Sequence, residues 1–96
     1  MNAAVEQPGL IYFYSGRSGR SRLVEGYLSQ VLQRRQNHNT FRLYRVEVSE
    51  QPELVERFGV EDVPTLVVVA EKKVRRRLAA PRGLRDIEAL LEPWLR

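Results

Sequence analysis

Three short stretches of this 96-residue chain place polar and charged residues where they could do chemistry. Ser15 to Arg22 (SGRSGRSR) sets Arg17, Arg20 and Arg22 among serines and glycines just ahead of an apolar, helix-periodic segment. A helix start there would present unpaired N–H groups and the positive end of its dipole, so this turn could hold a phosphate, a sulfate or a carboxylate. It is not a phosphate loop of the Gly-x-x-x-x-Gly-Lys-Ser/Thr kind, whose pattern is absent. Ser18 and Ser21 are the hydroxyls available as nucleophiles, yet neither has a base at a recognisable spacing, and the one histidine, His38, sits in the polar loop Gln36 to Thr40. Acyl-transfer chemistry is therefore not expected. Lys72 to Arg77 (KKVRRR) holds five bases in six positions. On a regular strand Arg75 and Arg77 would face one way and Val74, Arg76 and Leu78 the other. Such an edge discourages sheet-to-sheet association, and it could also attract nucleic acid or an acidic partner. The third stretch, Val63-Pro64-Thr65, precedes a valine-rich run. An X-Pro bond is the one peptide bond that adopts cis at a cost as low as about 1 kcal/mol.

The elements that must position these residues follow from apolar spacing. Gly9 to Tyr14 reads as a strand buried on both faces. Leu23, Val24, Tyr27, Leu28, Val31 and Leu32 form one helical stripe, so a helix is expected from Arg22 to about Gln36, capped by Ser18 or Ser21 and weakened by Gly26. Phe41 to Val48 makes a second strand. Ser49 as N-cap, Pro52 in the first turn and Gly59 after the end outline a short helix over 50–58. Thr65 to Ala70 is a third strand, Glu71 to Lys73 a turn, and Val74 to Ala79 a fourth strand. Leu84, Ile87, Leu90, Leu91 and Leu95 mark a last helix, with Trp94 packing beside it. The order βαβαββα implies an α/β fold with a four-stranded mixed sheet and helices on both faces. Residues 1–9 are expected to be a flexible N-terminus and 10–96 a single domain.

Composition narrows the function. Sixteen basic against twelve acidic residues give a net charge of +4, concentrated before residue 41 and after residue 70. With no cysteine, the chain makes no disulfide, thiolate metal site or thiol redox chemistry. No metal site and no cofactor are expected, since the carboxylates do not cluster around the single histidine. No apolar run approaches the about 20 residues that span a bilayer. Met1 to Gly9 has neither the basic nor the apolar stretch of a secretory signal, so a cytoplasmic location is expected.

Pro52, Phe58-Gly59-Val60 and Val63-Pro64-Thr65, in one ungapped stretch from Gln51 to Val69, resemble the thioredoxin family. Upstream, Ser18-Gly19-Arg20-Ser21 lies where that family has Cys-Gly-Pro-Cys, and Gly26 where it has a helix-bending proline. The resemblance runs from about Leu10 to Leu95 and implies the minimal form of the thioredoxin-like fold, because nine residues cannot hold the family's opening strand and helix. It also implies that Pro64 is cis and lies beside the active turn. Arg17 stands in the place of the motif's tryptophan, Arg20 of its proline, Tyr12 of its buried acid and Ala80 of a glycine near the groove. A serine hydroxyl cannot form or break a disulfide, so the resemblance implies a redox-inactive protein with no catalytic residue. Serine is also the isosteric replacement for cysteine, and a native gene encoding Cys at 18 or 21 would return the reading to thiol–disulfide oxidoreductase. A second resemblance, to the cysteine-free thioredoxin-like domains of the KaiB type, rests on Val74-Arg75-Arg76 and Gln51-Pro52-Glu53-Leu54, shares the fold class and implies partner binding.

Two functional expectations result. The first is a partner-binding module, adaptor or chaperone-like, with Arg17, Ser18, Gly19, Arg20 and Ser21 as one wall of a groove and Val63, Pro64 and Thr65 as the other. Its partner is a protein or peptide, expected to be acidic and to pair with the Val63 backbone. The second is anion or nucleic-acid binding through Arg17, Arg20, Arg22, Lys72, Lys73, Arg75 and Arg77. It is the weaker of the two, because no aromatic residue is interleaved with the bases as a stacking platform.

Overall fold

A computed structural model describes residues 7–34 and 39–95. Residues 1–6 of the expected flexible N-terminus (1–9), and residues 36–38 of the expected polar loop with His38 among them, lie outside the described residues. The apolar runs become the strands β1 (Gly9–Tyr14) and β3 (Thr65–Ala70), and the more polar, exposed segments become β2 (Arg42–Glu47) and β4 (Lys73–Ala79). The helices are α1 (Gly19–Gln33), α2 (Pro52–Arg57) and α3 (Leu84–Leu91), with a 3-10 turn over Glu92–Trp94 where Pro93 cannot continue α3. Trp94 is half-buried and meets Phe41 edge-on at 6.2 Å.

The strands form one mixed sheet in the order β2-β1-β3-β4. β1 runs parallel to β2 and antiparallel to β3, and β3 and β4 form an antiparallel hairpin. One sheet face is sealed by α1 and α3 over Leu10, Tyr12, Leu66 and Val68, which are 0–1% exposed. On the other face, among the described residues, lies α2 alone, whose Leu54 and Val55 pack over Phe13, Val46, Val60 and Val67. The fold is the expected four-stranded minimal thioredoxin-like arrangement, with helices on both faces.

Several local expectations need correction. α1 begins at Gly19, three residues before Arg22, because the Ser18 hydroxyl accepts the Ser21 N–H at 3.1 Å and sets the cap there. Ser21 is thereby drawn into the first helical turn. Ser49 does not cap α2. Its hydroxyl donates to the Glu47 carboxylate instead, and the helix starts at Pro52 behind Gln51, which makes no side-chain cap bond. In β4 the regular alternation fails. Val68 pairs with Arg76 and Val69 with Val74, so Arg75 is the extra residue of a bulge and Val74 shares its face with Arg77 rather than with Arg76. The Arg75 guanidinium turns back to the Ala70 carbonyl and the Glu71 carboxylate.

Candidate functional site

The end of β1 and the start of β3 meet at one end of the sheet, because Phe13 pairs with Thr65. The turn that follows β1 and the loop that precedes β3 are therefore neighbours by construction.

The turn is held by its own polar groups. Ser18 N–H donates to the Ser15 carbonyl at 3.1 Å, Arg17 N–H to the Ser15 hydroxyl at 3.2 Å, and Ser15 N–H to the Ser21 hydroxyl at 3.3 Å. Ser21 is buried, 2% exposed, and directly beneath it Tyr12, 1% exposed, donates its phenol to the Ser21 carbonyl. Burial raises the Tyr12 pKa further above 10.0, with the Glu25 carboxylate adding to the effect, so this phenol stays neutral and serves as a hydrogen-bond donor. Both serines of Ser18-Gly19-Arg20-Ser21 are committed to fixing the turn, one as a cap and one as a brace.

A further residue holds the turn from outside. The Glu47 carboxylate, at the end of β2, accepts from the Gly16 N–H at 3.0 Å and from the Ser49 N–H at 2.7 Å, as well as from the Ser49 hydroxyl. These bonds, that from the Ser49 hydroxyl foremost, favour the charged form and lower its pKa from 4.5 to about 2. Sequence reading had no signal for this residue, since a glutamate at a strand end looks like any solvated acid.

The opposite wall is pinned at both ends. The Val63–Pro64 peptide is cis. Thr65, 2% exposed, donates its hydroxyl to the Asp62 carbonyl at 2.6 Å, and the Ala80 N–H donates to the Pro64 carbonyl at 2.8 Å. Ala80 does so from a left-handed backbone, φ 48°. Between these anchors the Val63 N–H and C=O carry no hydrogen bond among the described residues, and Val63 is half-buried. Arg17, Arg20 and Arg22 are exposed and, among the described residues, have no carboxylate partner. Glu61 and Asp62, also exposed, border the Val63 side. This end of the sheet thus carries exposed arginines on the turn after β1 and exposed acids on the loop before β3.

The second basic cluster lies elsewhere. Val69 pairs with Gly9 and Ala70 with Lys73, so Lys72 and Lys73 sit at the end of the sheet opposite Arg17 and Arg20. The five steps of β3 between Thr65 and Ala70 separate the two by about 16 Å at about 3.3 Å per residue. Arg75 is paired with Glu71 at 2.6 Å, and Arg77 reaches the Gly59 carbonyl at 3.3 Å. Of the seven bases of the anion-binding expectation, Lys72 and Lys73 thus stand at the far end from Arg17 and Arg20, while Arg75 and Arg77 lie between along β4 and are engaged within the fold. Among the described residues no group of three or more His, Cys, Asp or Glu could hold a metal ion, and no helix is long and apolar enough to cross a membrane.

Several solved structures are similar to this chain. They include a mutant thioredoxin from Halobacterium salinarum, at 20% identity over 95% of this chain and 77% of that one, with a TM-score of 0.78. The germline-specific thioredoxin Deadhead from Drosophila melanogaster is 18% identical over 93% and 82%, with a TM-score of 0.80. Oxidised thioredoxin from Plasmodium falciparum is 14% identical over 95% and 84%, with a TM-score of 0.79. Identities this low carry the fold alone. No curated protein sequence matches the chain. The thioredoxin family model matches residues 2–93. That span contains all four strands, the Ser18 to Ser21 turn and the Pro64 loop, and the chain belongs to the thioredoxin family.

Proposed function

We propose that this protein is a redox-inert thioredoxin-like module that binds an extended segment of a partner protein in the groove between Arg17–Ser21 and Val63–Thr65. One observation carries the reading: the Val63 N–H and C=O are unpaired while the residues on either side of them are held in place. An extended chain laid along Val63 would complete those two hydrogen bonds, as in strand addition. Acidic side chains on the segment would meet Arg17 and Arg20 in charge-assisted hydrogen bonds, and Glu61 and Asp62 would favour a polar or basic residue at its other end. Thiol chemistry is not part of the proposal, since the chain has no cysteine and the Ser18 and Ser21 hydroxyls are engaged in the turn. Anion or nucleic-acid binding through both basic clusters together is the weaker reading, since Arg75 and Arg77 are already engaged within the fold.

The test is capture from an extract of the source organism with the intact chain, with Arg17→Glu plus Arg20→Glu, and with Arg75→Glu plus Arg77→Glu. Loss of the captured proteins only in the first variant supports the groove. Equal capture by all three means that the groove is not the binding site. An oligonucleotide titration at low salt accompanies it, and tight binding abolished by the second variant would replace the protein-partner reading.

A further inference from the structure

Among the described residues, α2 is the one helix over its face of the sheet and leaves the hairpin end of that face open. Six residues of helix protect the part nearest the groove, and at the hairpin end Ile11, Tyr44, Phe58 and Val69 line an open cavity of about 460 Å³. Gly9 shapes it: the Tyr44 ring approaches within 3.4 Å of the place where a Cβ would stand, so the ring lies against the β1 backbone and walls one side. Tyr44 is 47% exposed. A second hollow of about 460 Å³ continues from Ile11 and Tyr44 toward Leu54. Together they make an apolar trough along β1 and β2.

The charge at its rim is one-sided. Arg42 and Lys72 stand at the cavity mouth, and neither has a carboxylate partner among the described residues. Glu71 is also at the mouth, but its carboxylate is held by Arg75 at 2.6 Å. The trough therefore offers two uncommitted cations above an apolar floor. Its volume lies within the roughly 300–1,000 Å³ of small-molecule sites.

From this arrangement we propose that the trough is a binding site for a small amphipathic carboxylate, whose apolar tail lies on Ile11, Tyr44 and Val69 and whose head group meets Arg42 and Lys72. Burial of the tail supplies the drive and the two cations set the orientation. The site is at the end of the sheet opposite the partner groove and stands independently of that reading.

The experiment is a titration of the full-length chain with sodium decanoate, below its micelle concentration and at low salt, followed by methyl and amide NMR. Decyltrimethylammonium serves as the control of opposite charge. Saturable shifts of the Ile11 and Val69 methyls with decanoate, weak or absent with the cationic amphiphile, are expected. Arg42→Glu plus Lys72→Glu, both on exposed residues and so compatible with folding, should weaken decanoate binding about tenfold, as should added salt. Non-saturating shifts scattered over the surface, equal response to both amphiphiles, or undiminished binding to the charge variant would each overturn the proposal. So would trough signals that already change with protein concentration alone, since a second copy of the chain would then be the occupant.

Discussion

Arg75 and Arg77 of β4 and the arginines of the Ser15–Arg22 turn are used in opposite ways. On β4, Arg75 folds back onto Ala70 and Glu71, Arg77 reaches Gly59, and the strands close through Glu71 and Lys72, both left-handed at φ 55° and 66°. That turn geometry matches the twist of the paired strands, and it is one that glycine and asparagine adopt with less strain. At the groove end the division of labour is reversed. Uncharged groups and one carboxylate fix the backbone, through Ser18, Ser21, Thr65, Ala80 and Glu47, while Arg17, Arg20 and Arg22 have no carboxylate partner among the described residues. A charge already committed within the fold offers a ligand little, whereas a fixed backbone with free cations beside it is preorganised for binding.

The contrast can be broken most severely from the strand that joins the two ends. Leu66, 0% exposed in β3, should cost about 3 kcal/mol when changed to Ala, and urea denaturation should show both ends lost in one transition. Thr65→Val removes only the groove-end anchor to the Asp62 carbonyl, and a loss of about 1–2 kcal/mol is expected, with partner capture reduced beyond what stability explains. Relief of strain should act in the other direction. Lys72→Gly at the hairpin and Ala80→Gly at the groove should each stabilise the chain by about 0.5–1 kcal/mol in the same assay, since each replaces a side chain in a left-handed position. The smallest effect is a pH dependence. The Glu47 pKa is lowered to about 2 in the fold, so its contribution is present above the unfolded value near 4.5 and is lost as pH falls from there toward 2. Glu47→Gln should flatten that part of the stability profile, and an unchanged profile would remove Glu47 as the outer brace of the turn.

The fold was largely legible in the sequence, and the site about half so. GLIYFY and TLVVVA announce strands by composition, and the spacing from Leu23 to Leu32 announces α1, because burial on a sheet or along a helical stripe imposes those periods. Val63-Pro64-Thr65 and Ser18-Gly19-Arg20-Ser21 could be named because their residue types are unusual together. The start of α1 was missed because the apolar stripe begins after the cap, and only the direction of the Ser18 side chain reveals where the helix is set. The bulge at Arg75 was hidden because an extra residue leaves no mark in a run of like charges. The distance between the two basic clusters depends on strand register, a long-range property that local composition does not encode. The same holds for the Glu47 brace, which joins residues 31 apart in the chain.

The central claim is that the unpaired backbone at Val63, flanked by free arginines, is where a partner docks. Amide hydrogen exchange of the chain, alone and with a captured partner, tests it directly. New protection is predicted at Val63 and across Arg17 to Ser21, with Lys73 to Ala79 unchanged. Protection confined to Lys73–Ala79, with Val63 exchanging as in the free protein, would contradict it.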